Sequence, residues 1–325
     1  RLVLVPIQYA HLRPCSYRWD VARTRSYVIA VGVIQDSGPH CKKSNYKYGK
    51  WAIVTGATDG IGKAMSFELA SRGCSIMLVS RSAEKLSVVK EELAGKYPSI
   101  EVLTEAADFA NLSEARRLEL QQAIESLEVG VLVNNLGLSY PFCQWFDELS
   151  DSEVTSLLAL NVDSMTWMTR MVLPNMLKRC KGAIVNLSSA AAQAPLPLLA
   201  QYSACKGYVE NFSRSLSAEY RPKGIDIQCQ SPLWVATSMA LPNSKAPVDK
   251  RATLMMPTAK AYARVAVSSI GYETMACPYW AHALFMWVQA RFPDLIRIPV
   301  IFRMHKKVRY HKKNVALMEK KHKGL

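Results

Sequence analysis

The chain has 325 residues, half of them hydrophobic, and a net charge of +15. That length and apolar content suit one α/β domain with a sizeable core and extensions. Residues 1–50 carry +7 and residues 297–325 carry +9, which leaves −1 over 51–296. A nearly neutral body argues against nucleic-acid binding, and basic ends suit an anionic surface or plain solvation. The eight cysteines include no Cys-x-x-Cys pair, so reduced, buried thiols are expected in place of a disulfide framework or zinc site.

Residues 1–46 form an N-terminal extension without sustained periodicity. The apolar run Val28 to Ile34 is too short to span a bilayer. Order begins with Trp51-Ala52-Ile53-Val54, the pattern of a buried parallel strand. The turn Thr55 to Gly62, with Gly56, Gly60, Ile61 and Gly62, leads into a helix to Ser71. A glycine turn between strand and helix lets backbone approach a pyrophosphate at the helix N-terminus. The strand Ser75 to Ser80 follows and ends at Arg81, where an acidic residue would suit a ribose 2′-hydroxyl. Arg81, with Lys63 past the glycines, fits a 2′-phosphate instead and favours NADP(H).

A helix over Ala83 to Ala94 precedes strand residues at Glu101 to Thr104 and Ala107-Asp108-Phe109. Ser113 caps a helix to Ser126, and the strand Gly130 to Val133 ends in Asn134-Asn135-Leu136-Gly137. Strands alternating with helices predict an α/β doubly wound parallel sheet, whose ligands gather at the strands' carboxyl ends. A long helix from Ser152 to Arg179 carries Asn161 mid-course, with a kink expected at Pro174. The strand Ala183 to Leu187 runs into Ser188-Ser189, and a helix opens near Tyr202. Tyr202 and Lys206, four apart, share a helix face. An ammonium there favours the phenolate and lowers the tyrosine pKa, while a serine hydroxyl such as Ser189 can bond a reacting carbonyl oxygen. Alone, such a pair is common on solvated helices. Beyond the strand Ile225 to Gln230 and Thr237, residues 238–257 read as a Met-rich mobile lid. Residues 276–302 read as an interrupted aromatic stretch, suited to a membrane interface, to packing on the body or to lining a substrate tunnel.

Thr55 to Gly62, Asn134 to Gly137, Asn161, Ser189, Tyr202 and Lys206 together resemble the short-chain dehydrogenase/reductase family, over roughly Tyr46 to Met275. Tyr46 to Ala64, Pro232 to Thr237 and Ala261 to Tyr279 resemble its very-long-chain 3-oxoacyl-CoA reductase and microsomal 17β-hydroxysteroid dehydrogenase branch. The resemblance implies a single Rossmann domain over 47–275, lid included, and a membrane-associating tail over 276–325. It makes Tyr202 the proton donor, Lys206 the ribose-holding base partner, Ser189 the carbonyl orienter and Asn161 the holder of a relay water. Gly56, Gly60, Ile61, Gly62, Arg81, Asp108, Asn135, Tyr202, Lys206 and Thr237 would contact NADP(H). The implied reaction is NADPH-dependent reduction of a 3-oxoacyl-CoA in fatty-acid elongation. Ketosteroid reduction and a catalytically silent NADPH-binding scaffold are the alternatives. Implied partners are an acyl-CoA or steroid substrate, a membrane surface, other elongation enzymes and a second copy of the chain. The implied place is the endoplasmic reticulum membrane, facing the cytosol. Lys321 and Lys323, at positions −5 and −3, agree with a dilysine retrieval signal.

Overall fold

The computed structural model describes residues 47–241, 247–311, 314, 315 and 318. The N-terminal extension, the middle of the expected lid (242–246) and the expected retrieval signal lie outside these. Seven strands form one parallel sheet: β1 (Trp51–Thr55), β2 (Ser75–Ser80), β3 (Val102–Ala106), β4 (Val129–Asn134), β5 (Gly182–Leu187), β6 (Ile225–Gln230) and β7 (Met275–Ala276). Their spatial order is β3-β2-β1-β4-β5-β6-β7, the doubly wound arrangement expected.

Period-two alternation sends successive residues to opposite faces, and helices cover both. On one face Ala52, Val54, Leu78 and Val133 meet α1 (Gly60–Ser71), α2 (Ala83–Lys96) and α7 (Ala259–Ser268) through Met65, Leu69, Leu93 and Tyr262. On the other, Ile53, Val79, Leu132 and Ile184 meet α3 (Glu114–Glu125) and α5 (Ser164–Lys178) through Leu120, Ile124, Met168 and Val172. Full burial of each such Leu, Ile or Met contributes about 1.5–3 kcal/mol. Local chemistry sets the helix starts. Ser82, Ser113 and Thr258 accept backbone N–H groups of their own first turns, and Ser150 forms a capping box with Glu153 before α4 (Asp151–Leu158).

The long helix expected over Ser152 to Arg179 is divided into α4 and α5, with Pro174 inside α5. The irregularity is a π turn over Ala159–Asp163, centred on buried Asn161. Its amide donates to Leu157 O (2.9 Å) within the helix and to Leu138 O (2.8 Å) in the loop after β4. A π turn re-aims one side chain without ending the helix, which is the work done here. Asp108 lies on a turn beyond β3, not on a strand: Ala107 N–H bonds Ser80 O, and the chain then folds back.

The C-terminal region departs most from expectation. Strand β7 straddles the anticipated domain boundary at 275 and adds to the sheet. The interrupted aromatic stretch forms two helices, α8 (Trp280–Gln289) and α9 (Asp294–Arg309), and α9 runs through Pro299. Among the described residues no helix is long and apolar enough to cross a membrane. The described cysteines are free thiols, with Cys74, Cys143, Cys205 and Cys229 buried.

Candidate active site

Strand order reverses between β1 and β4, and the crevice at their carboxyl ends is where such sheets bind ligands. Asn135 bridges it. Its side-chain amide donates to Thr55 O (3.1 Å) and Gly56 O (3.2 Å), and its backbone N–H donates to Thr55 Oγ1 (3.0 Å).

Beside it the β1–α1 turn forms a cradle. Gly56 (φ +63°) and Gly60 (φ +55°) occupy left-handed backbone that side chains avoid. At Gly62 a Cβ would lie 2.3 Å from Gly56 O. Asp59 caps the helix by accepting Gly60 N–H (2.7 Å), and the N–H groups of Ile61 and Gly62 lie in the first turn, where a helix leaves donors without internal acceptors. Thr237 closes the cradle from the loop after β6: a Cβ at Gly60 would meet its methyl at 3.0 Å. Arg81 stands exposed just past β2, with no ion pair among the described residues, next to Ser80, whose hydroxyl bonds Thr58 (3.0 Å). Lys63 is tied instead to Glu92 (2.7 Å), which leaves Arg81 as the cation free to meet a 2′-phosphate. Asp108 accepts from Ala110 N–H (3.1 Å) and Asn111 Nδ2 (3.0 Å) at the rim beyond β3. Donors at a helix start, bare glycines and a free guanidinium fit the phosphates of NADP(H).

Ser189, Tyr202 and Lys206 meet at the end of β5. Ser189 accepts Ala191 N–H (3.1 Å), and its hydroxyl draws the pKa of the Tyr202 phenol down. Helix α6 (Ala200–Tyr220) brings Lys206 Nζ to 5.8 Å from the Tyr202 ring centroid, and the ammonium donates to Leu187 O (3.0 Å). The expected lowering of the tyrosine pKa is not what this geometry gives. Burial pushes the phenol up by more than the Ser189 bond brings it down, and the Lys206 charge is directed at a carbonyl. Lys206 itself is brought down to about 8 by burial. The phenol is therefore a proton carrier at neutral pH, beside an ammonium that neutralises just above it.

Two pH effects of opposite sign follow from Lys206. Its folded pKa is depressed, so the unfolded chain holds the extra proton between about 8 and the ordinary lysine value, and stability rises with pH over that window. Any proton transfer that needs the Lys206 ammonium is expected to fade as pH rises through about 8. Rate and melting profiles of wild type and Lys206→Met check this: the variant lacks both limbs.

Asn161 stands behind this group. Its Oδ1 accepts Leu138 N–H (3.3 Å), and a Cβ at Gly137 would sit 2.9 Å from Oδ1 and 3.3 Å from Lys206 Nζ. Its amide fastens the β4 loop against Lys206.

Residues the sequence reading passed over also hold the site. His282 is fully buried on α8. Its Nδ1 accepts Leu233 N–H (3.2 Å) and its Nε2 donates to Met255 O (3.1 Å), so α8 fastens the loop after β6 to the lid segment. Burial holds this imidazole below its usual pKa, hence neutral. Arg309 on α9 pairs with Glu148 (2.5 Å) and donates to Cys143 O (3.1 Å) in the loop after β4. A lone histidine in an aromatic run was the one sequence signal for the first; the second left none. Among the described residues no cluster could hold a metal.

Residues 50–247 match the family model described as short chain dehydrogenase. The very-long-chain 3-oxoacyl-CoA reductase-B of Danio rerio is 43% identical over 244 residues, covering 74% of this chain and 75% of the relative. The Homo sapiens protein named inactive hydroxysteroid dehydrogenase-like protein 1 is also 43% identical over 244 residues, covering 75% and 72%. Among solved structures, a short-chain dehydrogenase from Sphingobium yanoikuyae in complex with NADPH superposes with a TM-score of 0.63 at 24% identity, over 74% of this chain and 91% of that one.

Proposed function

We propose, from the premise that the chain belongs to the short-chain dehydrogenase family, that it is an NADPH-dependent reductase of the 3-keto group of long or very-long-chain 3-oxoacyl-CoA. The observation that carries this reading is the assembly of Ser189, Tyr202 and Lys206 at the carboxyl end of β5. One relative of equal identity is a 3-oxoacyl-CoA reductase by name and another is named inactive, so an intact proton-transfer group is the feature that favours activity here.

NADPH bound in the β1–α1 cradle would supply the hydride. The cradle N–H groups and Arg81 would hold its phosphates, and Lys206 its ribose. Ser189 would hydrogen-bond the ketone oxygen and fix it against Tyr202. The raised phenol pKa keeps the proton on Tyr202 until the oxygen gains negative charge, and the proton then passes to that oxygen. The result is a 3-hydroxyacyl-CoA, the reductive step of fatty-acid elongation. We infer the endoplasmic reticulum membrane as its place, with the catalytic domain facing the cytosol. The basic ends support this, and a tagged chain found in the soluble fraction counts against it.

Reduction of a ketosteroid is the second reading, favoured by the same proton-transfer geometry, which does not select between ketones. Solubilised protein offered a long-chain 3-oxoacyl-CoA and a 17-ketosteroid side by side, with NADPH oxidation followed by absorbance, separates the two. Turnover of neither, with NADPH bound, would favour a silent scaffold. Arg81→Ala is expected to raise the KM for NADPH by roughly 10–100-fold, the worth of one charge-assisted phosphate contact, and to leave that for NADH nearly unchanged. Equal effects on both cofactors would remove Arg81 from the phosphate site.

A further inference from the structure

The loop after β6 contains a peptide group bonded at both edges. Its carbonyl, Pro232 O, accepts Ala190 N–H (2.9 Å), and its amide, Leu233 N–H, donates to His282 Nδ1 (3.2 Å). The two groups belong to one planar unit and point in opposite directions, so neither edge turns without the other. Ala190 directly follows Ser189, and on the other side of the serine Ser188 N–H donates to Gln230 O (2.8 Å). Ser189 thus sits between two bonds that continue the β5–β6 pairing beyond both strand ends. His282 is itself tightly set. It is fully buried, and Tyr279 meets its ring edge-on at 4.9 Å. Met255 O, 3.1 Å away, can only accept, which places the proton on Nε2 and leaves Nδ1 as the acceptor that Leu233 N–H needs. Burial keeps the imidazole neutral and so preserves that acceptor.

We propose that His282 is a positioning residue for Ser189, acting through the Pro232–Leu233 peptide. Without Nδ1, the partly buried Leu233 N–H has no acceptor and must turn to find one. The peptide plane turns with it, and so does the carbonyl that holds Ala190. Ser189 then moves off the place from which it would hydrogen-bond the ketone oxygen. The rest of the loop has fixings of its own. Ser231 N–H donates to Ala276 O (3.0 Å), Ser231 Oγ to Glu210 (3.0 Å) and Ala236 N–H to Pro257 O (2.9 Å). Loss of the histidine acceptor therefore frees one peptide and leaves β6, and the Thr237 that closes the cradle, in place. The role of Ser189 rests on the reductase reading; the hydrogen-bond path from His282 to Ala190 does not.

The test is steady-state kinetics of His282→Gln and His282→Asn in the full-length chain, each alone and combined with Ser189→Ala. Glutamine carries its amide to the place of Nε2 and leaves carbon at that of Nδ1, whereas asparagine keeps an acceptor at the Nδ1 place. His282→Gln is expected to lower kcat roughly tenfold with NADPH affinity unchanged, and His282→Asn to recover most of that loss. In the Ser189→Ala background His282→Gln is expected to cost nothing more, because the path it breaks ends at a hydroxyl already removed. Additive losses, or equal losses in the two single variants, overturn the proposal. Amide hydrogen exchange reads the same path without turnover. In His282→Gln the Leu233 and Ala190 amides are expected to exchange at least tenfold faster than in wild type, and the Ser231 amide at the wild-type rate. Unaltered exchange at Ala190 overturns the proposal whatever the substrate proves to be. Faster exchange at Ala190 in a chain that reduces no ketone supports the path and counts against the reductase reading alone.

Discussion

Tyr202→Phe is expected to lower turnover of the ketone by about three orders of magnitude while NADPH still binds. The substitution removes one oxygen and keeps the ring that packs at the opening of α6, so the fold has little reason to respond. What disappears is the proton that the geometry readies: a half-buried phenol, held protonated by burial. Because the proton moves in the transition state, kcat and kcat/KM fall together and KM changes little. Ser189→Ala removes a hydrogen bond that forms with the substrate and strengthens as charge develops, so its loss is smaller, about 10²–10³. Steady-state kinetics with cofactor titration on each variant reads both effects. A phenylalanine variant that turns over normally would mean another group protonates the oxygen. A relative named inactive at 43% identity shows that family membership alone does not decide the matter, and turnover in the wild type does.

How much of this was legible in the sequence depended on the range of each signal. Strands β2 and β6 were bounded residue for residue, β2 by an apolar run that stops at Ser80 and β6 by the alternation Ile-Asp-Ile-Gln-Cys-Gln after the turn at Gly224. The glycine turn was legible because Gly56 and Gly60 answer to local backbone geometry. Asn161 was singled out as an unfavourable mid-helix residue, but the π turn around it left no compositional trace, since its cause is a carbonyl at Leu138 in a separate loop. Pro174 and Pro299 both lie inside helices, where packing outweighs one missing hydrogen bond. His282 and Arg309 act on Leu233 and Glu148, partners far away in the chain, and no periodicity encodes such pairs. The direction of the Tyr202 pKa was likewise out of reach: the Tyr/Lys spacing is written in the sequence, while burial is a property of the fold.

The second large effect concerns the cradle. Gly62→Ala is expected to weaken NADPH binding by at least a hundredfold and to destabilise the fold by about 1–3 kcal/mol. A Cβ at this position would lie 2.3 Å from Gly56 O and 2.4 Å from Asn135 Nδ2. Neither atom is the loose end of a flexible side chain. Gly56 is fixed by its positive φ and by its N–H bond to Val79 O (2.8 Å), and the Asn135 amide is held between Thr55 O and Gly56 O. Helix α1 must therefore lift from the turn, which pulls its first-turn N–H groups out of line and breaks the bridge between β1 and β4 at the switch point. Gly95, inside α2, has open space where its Cβ would be. Gly95→Ala is thus expected to act in the opposite sense, adding about 0.5–1 kcal/mol through helix propensity and leaving cofactor affinity unchanged. Thermal unfolding and NADPH titration of the two alanine variants read both quantities. Loss of affinity at Gly62 but not at Gly95 ties the cofactor to the β1–α1 turn; wild-type affinity in Gly62→Ala would move the cofactor elsewhere and take the proposed chemistry with it.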